Sequence, residues 1–259
     1  MSVEVSGLVI AKNEAIDLPD ALTAWESVCD EMIVVNDSST DSTREVALAH
    51  GARVIDTYMD ETTGFAGLRN TGLAEVETSH VFVFDADERP TAGIVKSIKE
   101  AVSEKRDNAA YRILRRNNAF NGWLDHGRFS PDWQIRLFPS TVRYQGIVHE
   151  APVISENMEI VDLDGLVEHF TYKSLSEYTS KMRDYALKQA EDRTLPPLKA
   201  VIGKGPFNLL IRDGYKDGWR GLVMAAGDVW YEFMIRRNAQ KILRDDNIDN
   251  FAPVLNQVV

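Results

Sequence analysis

Four short apolar runs, each followed by a stretch with helical spacing, restrict the fold of this chain more than any other feature. Gly7-Leu8-Val9-Ile10, Met32-Ile33-Val34-Val35, Arg53-Val54-Ile55 and Val81-Phe82-Val83-Phe84 read as strands. Between the first two, Leu18, Leu22 and Trp25 recur at helical spacing. Ser42 and Glu45 fit a capping box, with Ser42 as the cap. Leu68 to Val76 reads as a helix, and Ile94, Val95, Ile98 and Val102 mark another after the fourth strand. This alternation predicts an α/β fold, a Rossmann-like and mostly parallel sheet flanked by helices. Ligands of such sheets bind beyond the carboxyl ends of the strands.

The rhythm changes after about residue 110. Tyr111-Arg112-Ile113-Leu114 and Gln134-Ile135-Arg136-Leu137-Phe138 read as strands around an aromatic, glycine-bearing loop from Phe120 to Trp133. Ser174 and Glu177 form a second candidate capping box, opening a helix that carries Tyr178, Met182, Tyr185 and Gln189 on one face. Pro196-Pro197 is expected to end it, and a last helix is expected over Gly218 to Arg237. The expected organisation is an α/β body over 1–170, with a first part to about 110 and a second over 111–170. A helical C-terminal segment over 171–259 follows.

Charge and cysteine content narrow the function classes. The 259 residues carry a formal net charge of -11, and residues 1–170 hold 15 basic against 29 acidic side chains. The acidic excess lies there, and the remainder is weakly basic. An acidic body argues against nucleic acid as the main partner. Cys29 is the single cysteine, so neither an internal disulfide nor a multi-cysteine metal site is expected, and a reducing cytoplasm is compatible. The N-terminus does not read as a signal peptide, and no run reads as a membrane span. The basic second part does carry apolar surface: Pro206 to Ile211, Leu222 to Met224, Val229-Trp230 and Phe233. Lys204, Arg212, Lys216, Arg220, Arg236 and Arg237 border it. Such a face can lie in a membrane interface. The alternative is packing on the body or a dimer contact, because Asp213, Asp217, Asp228 and Glu232 dilute the basic character.

Polar clusters fall where strands end: Ala11-Lys12-Asn13-Glu14, Asn36-Asp37-Ser38-Ser39-Thr40-Asp41 and Asp85-Ala86-Asp87-Glu88. Asp85 and Asp87 follow an apolar strand as alternate residues, so both carboxylates can serve one divalent cation. Mg²⁺ or Mn²⁺ there would neutralise a diphosphate leaving group. Asp37 is either a contact to a nucleobase or ribose, or a turn residue. Asp41 and Ser42 suit the capping role better, which leaves Asp37 for the former. Trp123, Phe129 and Trp133 could stack on sugar faces, and at least one is expected to be plain packing.

The motif Ile10-Ala11-Lys12-Asn13-Glu14, then Val34 to Thr43, then Asp85-Ala86-Asp87-Glu88-Arg89, resembles the family-2 inverting glycosyltransferases of GT-A fold. Tyr111-Arg112-Ile113, Arg116-Asn117, His126-Gly127, Pro131-Asp132, Arg136-Leu137-Phe138 and Val148-His149-Glu150 are similar to the branch that includes lipopolysaccharide-core β-glucosyltransferases. The resemblance extends to Gly214 and Asp217-Gly218. It implies that 1–170 is a GT-A catalytic domain, nucleotide-binding to about 110 and acceptor-binding beyond. It also implies a UDP-sugar donor, and a glycan or glycolipid acceptor at the cytoplasmic side of a membrane. Residue by residue, it implies that Glu14, Asp37 and Arg69 line the nucleotide pocket. Asp85 contacts the ribose or lies beside the metal, and Asp87 ligates it. Many relatives carry a Glu-Asp pair where this chain reads His149-Glu150-Ala151, so the second acid is missing.

An inverting transfer needs a general base for the acceptor hydroxyl. Glu150 is the first candidate and Asp132 the second. His149 is either a metal ligand, a phosphate contact or a structural histidine. Three other readings compete. A D-x-D phosphohydrolase would carry its nucleophilic aspartate after the first strand, not after the fourth. A sugar-nucleotide nucleotidyltransferase needs a glycine-rich basic loop after the first strand, where this chain has Ala11-Lys12-Asn13-Glu14. A non-catalytic binding module of the same fold would have no need of Asp85, Asp87 and Glu150.

Overall fold

The computed structural model describes residues 5–60, 62–146 and 150–255, the last eleven as backbone only. They divide into two compact units. Met1–Arg116 and Asp132–His169 group into the first, Asn117–Pro131 and Phe170–Val259 into the second.

From the N-terminus the chain runs through β1 (Val5–Ala11), α1 (Leu18–Trp25), β2 (Glu31–Asp37), α2 (Thr43–Ala49), β3 (Arg53–Thr57), α3 (Gly64–Leu73) and β4 (His80–Val83). Then follow β5 (Glu88–Pro90), α4 (Ala92–Ser103), β6 (Ala109–Ala119), β7 (Gly122–Leu124), β8 (Asp132–Pro139), β9 (Tyr144–Gln145), β10 (Ala151–Pro152) and β11 (Glu159–Tyr172). The main sheet runs β3-β2-β1-β4-β8-β6-β11-β5, and β7 pairs with β6. Strands β3, β2, β1 and β4 are parallel. The pairs β4–β8, β6–β8 and β11–β5 are antiparallel. The strand–helix alternation therefore builds the expected α/β fold, with a parallel half continued by antiparallel strands.

The period of two along each strand sorts its side chains between two cores. Val9, Val34, Phe82 and Phe84 face Trp25 of α1 and Ile94 and Ile98 of α4. Leu8, Ile33, Val35, Val81 and Val83 face Leu68 and Leu73 of α3. Trp25 lies 4.5 Å from Phe82 and 5.7 Å from Phe84 between ring centroids. Burying rings of this size contributes roughly 1.5–3 kcal/mol each, and here it anchors the chain directly before Asp85. Gly72 lets α3 approach closely, since a Cβ there would stand 2.3 Å from Leu8 Cδ1 and 2.7 Å from Val35 Cγ2.

One local expectation needs correction, and two elements add to what was expected. Ser42 makes no side-chain capping bond to α2. Asp41 caps instead, its Oδ1 accepting the Thr43 amide at 3.0 Å. Strand β11 is 14 residues long, in a stretch given no element from sequence, because Asp162, Asp164 and Gly165 interrupt its apolar pattern. Its pairing supplies what the local pattern lacks.

In the second unit, α5 (Leu175–Glu191) opens with the expected box. Ser174 Oγ accepts the Glu177 amide at 3.1 Å, and Glu177 Oε2 accepts the Lys173 amide at 2.8 Å. The second added element is α6 (Leu198–Pro206), which continues into a π-helical turn, Phe207–Ile211, despite Gly203, Gly205 and Pro206. Gly205 is what the packing requires, since a Cβ there would lie 2.3 Å from the Ala225 carbonyl of the last helix, α7 (Trp219–Leu255). Among the described residues, no helix is long and apolar enough to cross a membrane.

Candidate active site

The carboxyl ends of adjacent strands β2, β1 and β4 bring the first unit's polar motifs to one edge. The loops after β1 and β2 are stitched together. Asn13 donates its amide to Ser39 Oγ at 3.0 Å, and its Oδ1 accepts the Thr40 amide at 2.7 Å. The Glu14 amide reaches Thr43 Oγ1 at 2.7 Å and the Ala15 amide reaches Asp41 Oδ2 at 3.2 Å. Asn13 and Ser38 hold positive φ values of 58° and 47°, a conformation that costs energy outside glycine and concentrates at functional loops. Asp37 ends β2 almost fully buried. Its Oδ2 takes Lys12 Nζ at 3.0 Å, and its Oδ1 takes the Met59 amide at 2.8 Å.

Beyond β4, acids and arginines alternate in a chain. Glu150 Oε1 accepts Arg69 Nε at 3.2 Å, and Arg69 Nη2 donates to Asp85 Oδ1 at 3.1 Å. Arg136 Nη2 bonds both Asp85 Oδ2 and, at 2.8 Å, Glu88 Oε1. Arg115 links Glu88 Oε1 at 3.0 Å to Asp132 Oδ2, which it also meets through Nε at 3.0 Å. Gln134 donates to the other Asp132 oxygen at 2.7 Å. Burial alone pushes the Asp85 carboxyl up. Arg136, Arg69 and Arg115 outweigh it and hold the group well below the usual carboxylate range. Burial likewise opposes the charge of Arg136, and Asp85 and Glu88 more than restore it.

Glu88 is the hub that the sequence reading quoted but gave no role. It is fully buried, and its Oε2 accepts the Asp85 amide at 3.1 Å. Arg89 closes the same turn with bonds to the Ala86, Glu88 and Asp17 carbonyls. Asn70, one residue after Arg69, exchanges two hydrogen bonds with the Tyr144 backbone, of 2.9 and 2.8 Å. It thereby ties the segment leading to Glu150 onto α3. Two unsatisfied atoms mark the network's inner side: among the described residues, the buried Arg69 Nη1 and Arg136 Nε have no hydrogen-bond partner. Glu150 Oε2 also takes no hydrogen bond among them.

Asp87 lies outside the Arg69–Arg136–Arg115 chain, and its charge helps hold Arg89 protonated against the burial that disfavours it. Its Oδ2 lies 3.4 Å from His169 Nε2 on β11. The pairing of β11 with β5, which sets His169 opposite Glu88, brings this imidazole over. His169 escaped the sequence reading because its strand did. A carboxylate beside an imidazole suits Mn²⁺ or Mg²⁺ less completely than an all-oxygen cage, yet both are accepted ligand types. No group of three His, Cys, Asp or Glu side chains with metal-site geometry occurs among the described residues. His149 lies outside them.

In the second unit, motif residues clamp one another. His126 Nδ1 meets Asp217 Oδ1 at 2.7 Å, and the His126 amide donates to Asp217 Oδ2 at 3.0 Å. The loop aromatics are engaged in packing within their own units: Trp123 with Phe170 at 6.1 Å, Phe129 with Tyr172 at 6.4 Å, and Trp133 under Arg112 at 4.8 Å.

The model of the family described as glycosyl transferase family 2 matches residues 6–157. The chain belongs to this family. An uncharacterized glycosyltransferase of Rickettsia typhi is 24% identical over 202 residues, covering 73% of this chain and 68% of that protein. A TPR repeat-containing protein of Synechococcus elongatus is 30% identical over 149 residues, or 57% of this chain and 35% of its own. Among solved structures, S. aureus TarS 1–349 is similar with a TM-score of 0.45 at 13% identity, covering 92% of this chain and 91% of that one. Glucosyl-3-phosphoglycerate synthase from Mycobacterium tuberculosis, in complex with Mn²⁺, UDP and glucosyl-3-phosphoglycerate, gives 0.46 at 15%, covering 73% and 79%.

Proposed function

We propose that this family-2 glycosyltransferase is an inverting, metal-dependent enzyme that moves a hexose from a UDP-sugar to a hydroxyl of a glycan or glycolipid. The motifs quoted above favour an acceptor of the lipopolysaccharide-core or surface-polysaccharide type, and the lone buried Cys29 suits work on the cytoplasmic side. One observation carries the donor reading. The buried Arg69 Nη1, a fixed cationic donor without a partner among the described residues, belongs to the network holding Asp85 at the sheet's carboxyl edge. A buried unpaired donor is costly, and a diphosphate drawn into this network would satisfy it.

The roles follow from the surroundings. Asp37, locked by Lys12 and Met59, presents a rigid carboxylate to the nucleoside, with Glu14 on the adjoining loop. Asp87 and His169 would hold the divalent cation, with Asp85 beside it. The cation supplies charge neutralisation for the departing diphosphate. Glu150 is the base: Arg69 orients its Oε1, and the side chain keeps 16% of its surface exposed. Asp132 has both oxygens engaged, by Arg115 and Gln134, and is the alternative. A nucleotidyltransferase is disfavoured by the glycine-free loop Ala11-Lys12-Asn13-Glu14.

The test is a screen of UDP-, GDP- and dTDP-sugars for metal-dependent hydrolysis, which needs no acceptor, followed by calorimetry with UDP. Wild type should cleave UDP-sugars with Mn²⁺, and Asp37→Ala should lose UDP affinity. If no nucleotide-sugar is cleaved and UDP does not bind, the chain is no such transferase. If UDP binds without turnover in any donor and acceptor combination, it is a binding module of this fold.

A further inference from the structure

The helix α6 and its π-helical continuation present their faces in an unusual order. Val201, Gly205 and Asn208 point inward, onto α7. Asn208 Nδ2 is fixed there by Asp228 Oδ2 at 2.7 Å. The opposite face is the apolar one. Leu198, Ile202, Phe207, Leu210 and Ile211 are exposed, with Ile202, Leu210 and Ile211 at 68%, 63% and 71%. Leu198, Ile202 and Leu210 recur at four-residue intervals with exposed Pro206, and Phe207 and Ile211 flank them, with exposed Lys199 on the same solvent side. Water-facing helices normally carry mostly polar side chains there, and so many exposed apolar side chains on one short segment mark a contact surface.

Its charge identifies the partner. Between Asp192 and Asp213 the chain contains no carboxylate but four cations, Arg193, Lys199, Lys204 and Arg212, in a protein of net charge -11. Lys204 is neutralised by Glu232 at 2.6 Å, while Lys199 and Arg212 are exposed next to the stripe. A second copy docking isologously on this stripe would set its cations against their own counterparts. An anionic lipid surface matches both features at once, with headgroups for Lys199 and Arg212 and the acyl boundary for the leucine, isoleucine and phenylalanine side chains.

The interfacial face expected from sequence also ran along the last helix. There the structure buries Met224 and leaves Leu222 and Phe233 exposed as separate side chains, whereas α6 and its continuation gather five exposed apolar side chains in one short segment. We propose that residues 198–211 form an in-plane membrane-docking element that seats the protein on anionic bilayers. This inference concerns binding alone and does not rest on the glycosyl-transfer reading.

Flotation of the full chain with phosphatidylglycerol–phosphatidylcholine vesicles tests it, without any sugar nucleotide. Wild type should float at low salt, less at high salt, and little with phosphatidylcholine alone. The double variant Ile202→Asp/Leu210→Asp, with its thermal melt unchanged because both sites face solvent, should lose roughly tenfold or more in partitioning. Lys199→Glu should weaken binding and flatten its salt dependence. The proposal is overturned if wild type stays at the bottom of the gradient, or if the double variant floats like wild type. It is equally overturned if sedimentation equilibrium shows a dimer that Ile202→Asp/Leu210→Asp dissociates while vesicle binding is absent. The stripe is then an interface between copies.

Discussion

Asp85 divides its two oxygens among Arg69, Arg136 and Arg115, whereas Asp87, two residues on, meets His169. Equivalent substitutions should therefore fail in different ways. Asp85→Asn takes one counter-charge from Arg69 and Arg136, which keep Glu150 and Glu88, and should cost about 3 kcal/mol of stability, read from the denaturant midpoint. Asp87→Asn should stay within about 0.5 kcal/mol of wild type, yet abolish metal-dependent turnover and weaken UDP binding. Equal melting temperatures for the two variants would contradict this division. The pH dependence follows from the lowered Asp85 carboxyl. Its stabilisation is complete above the ordinary carboxyl range near about 3.9 and is lost only as pH falls through the lower folded value. The gap between wild type and Asp85→Asn should thus be flat from about pH 8 to about pH 5 and close only in stronger acid. Glu150→Gln should lower transfer by roughly 10²–10⁴-fold with UDP affinity kept. If Asp132→Asn behaves that way and Glu150→Gln does not, the base is Asp132.

At the scale of the element, β11 delivers His169 because it pairs with β5 and because it can pass α4 closely. Gly165 makes that approach: its φ is +104°, and a Cβ there would lie 2.3 Å from the Ile94 amide nitrogen. Backbone cannot yield as a side-chain tip can. Gly165→Ala should cost more than the roughly 1–2 kcal/mol of left-handed strain alone. Gly51→Ala is the control, with φ +74° and no neighbour within 4 Å of the added Cβ. Similar losses in the two variants, measured by chemical denaturation, would mean that β11 shifts easily and that His169 is not held.

For the whole molecule, net charge opposes the donor. A polyanionic nucleotide approaches a chain of charge -11 whose excess acid lies in residues 1–170. The proposed divalent cation would reverse that local repulsion. Removing it with chelator should weaken UDP binding by roughly tenfold or more, most strongly at low ionic strength where screening is least. Calorimetry with and without Mn²⁺ checks this. Equal affinities would show that Arg69 and its neighbours suffice without metal.

Local pattern was enough to read the parallel half of the sheet, its helices, and the strand-end motifs carrying Asp37, Asp85 and Asp87. Each rests on residues close in sequence: period-two apolar strands, period-3.6 helices, and polar turns where both stop. The Ser174–Glu177 cap was legible for the same reason. Distances between remote residues were not. The joining of Glu150 to Arg69, of Glu88 to Arg115 and Arg136, and of His169 to Asp87 depends on antiparallel strands returning over gaps of up to 82 residues. Neither β11 nor α6 shows a clean local period, because acids, glycines and a proline interrupt both. Their structure comes from neighbours, β5 and α7, that no local window contains, and pairing or packing then overrides propensity. The sequence alone determined which chemistry stands at the sheet's edge. Tertiary structure decided which of those charges are spent on one another, because a buried arginine takes its carboxylate from whatever strand the fold brings beside it.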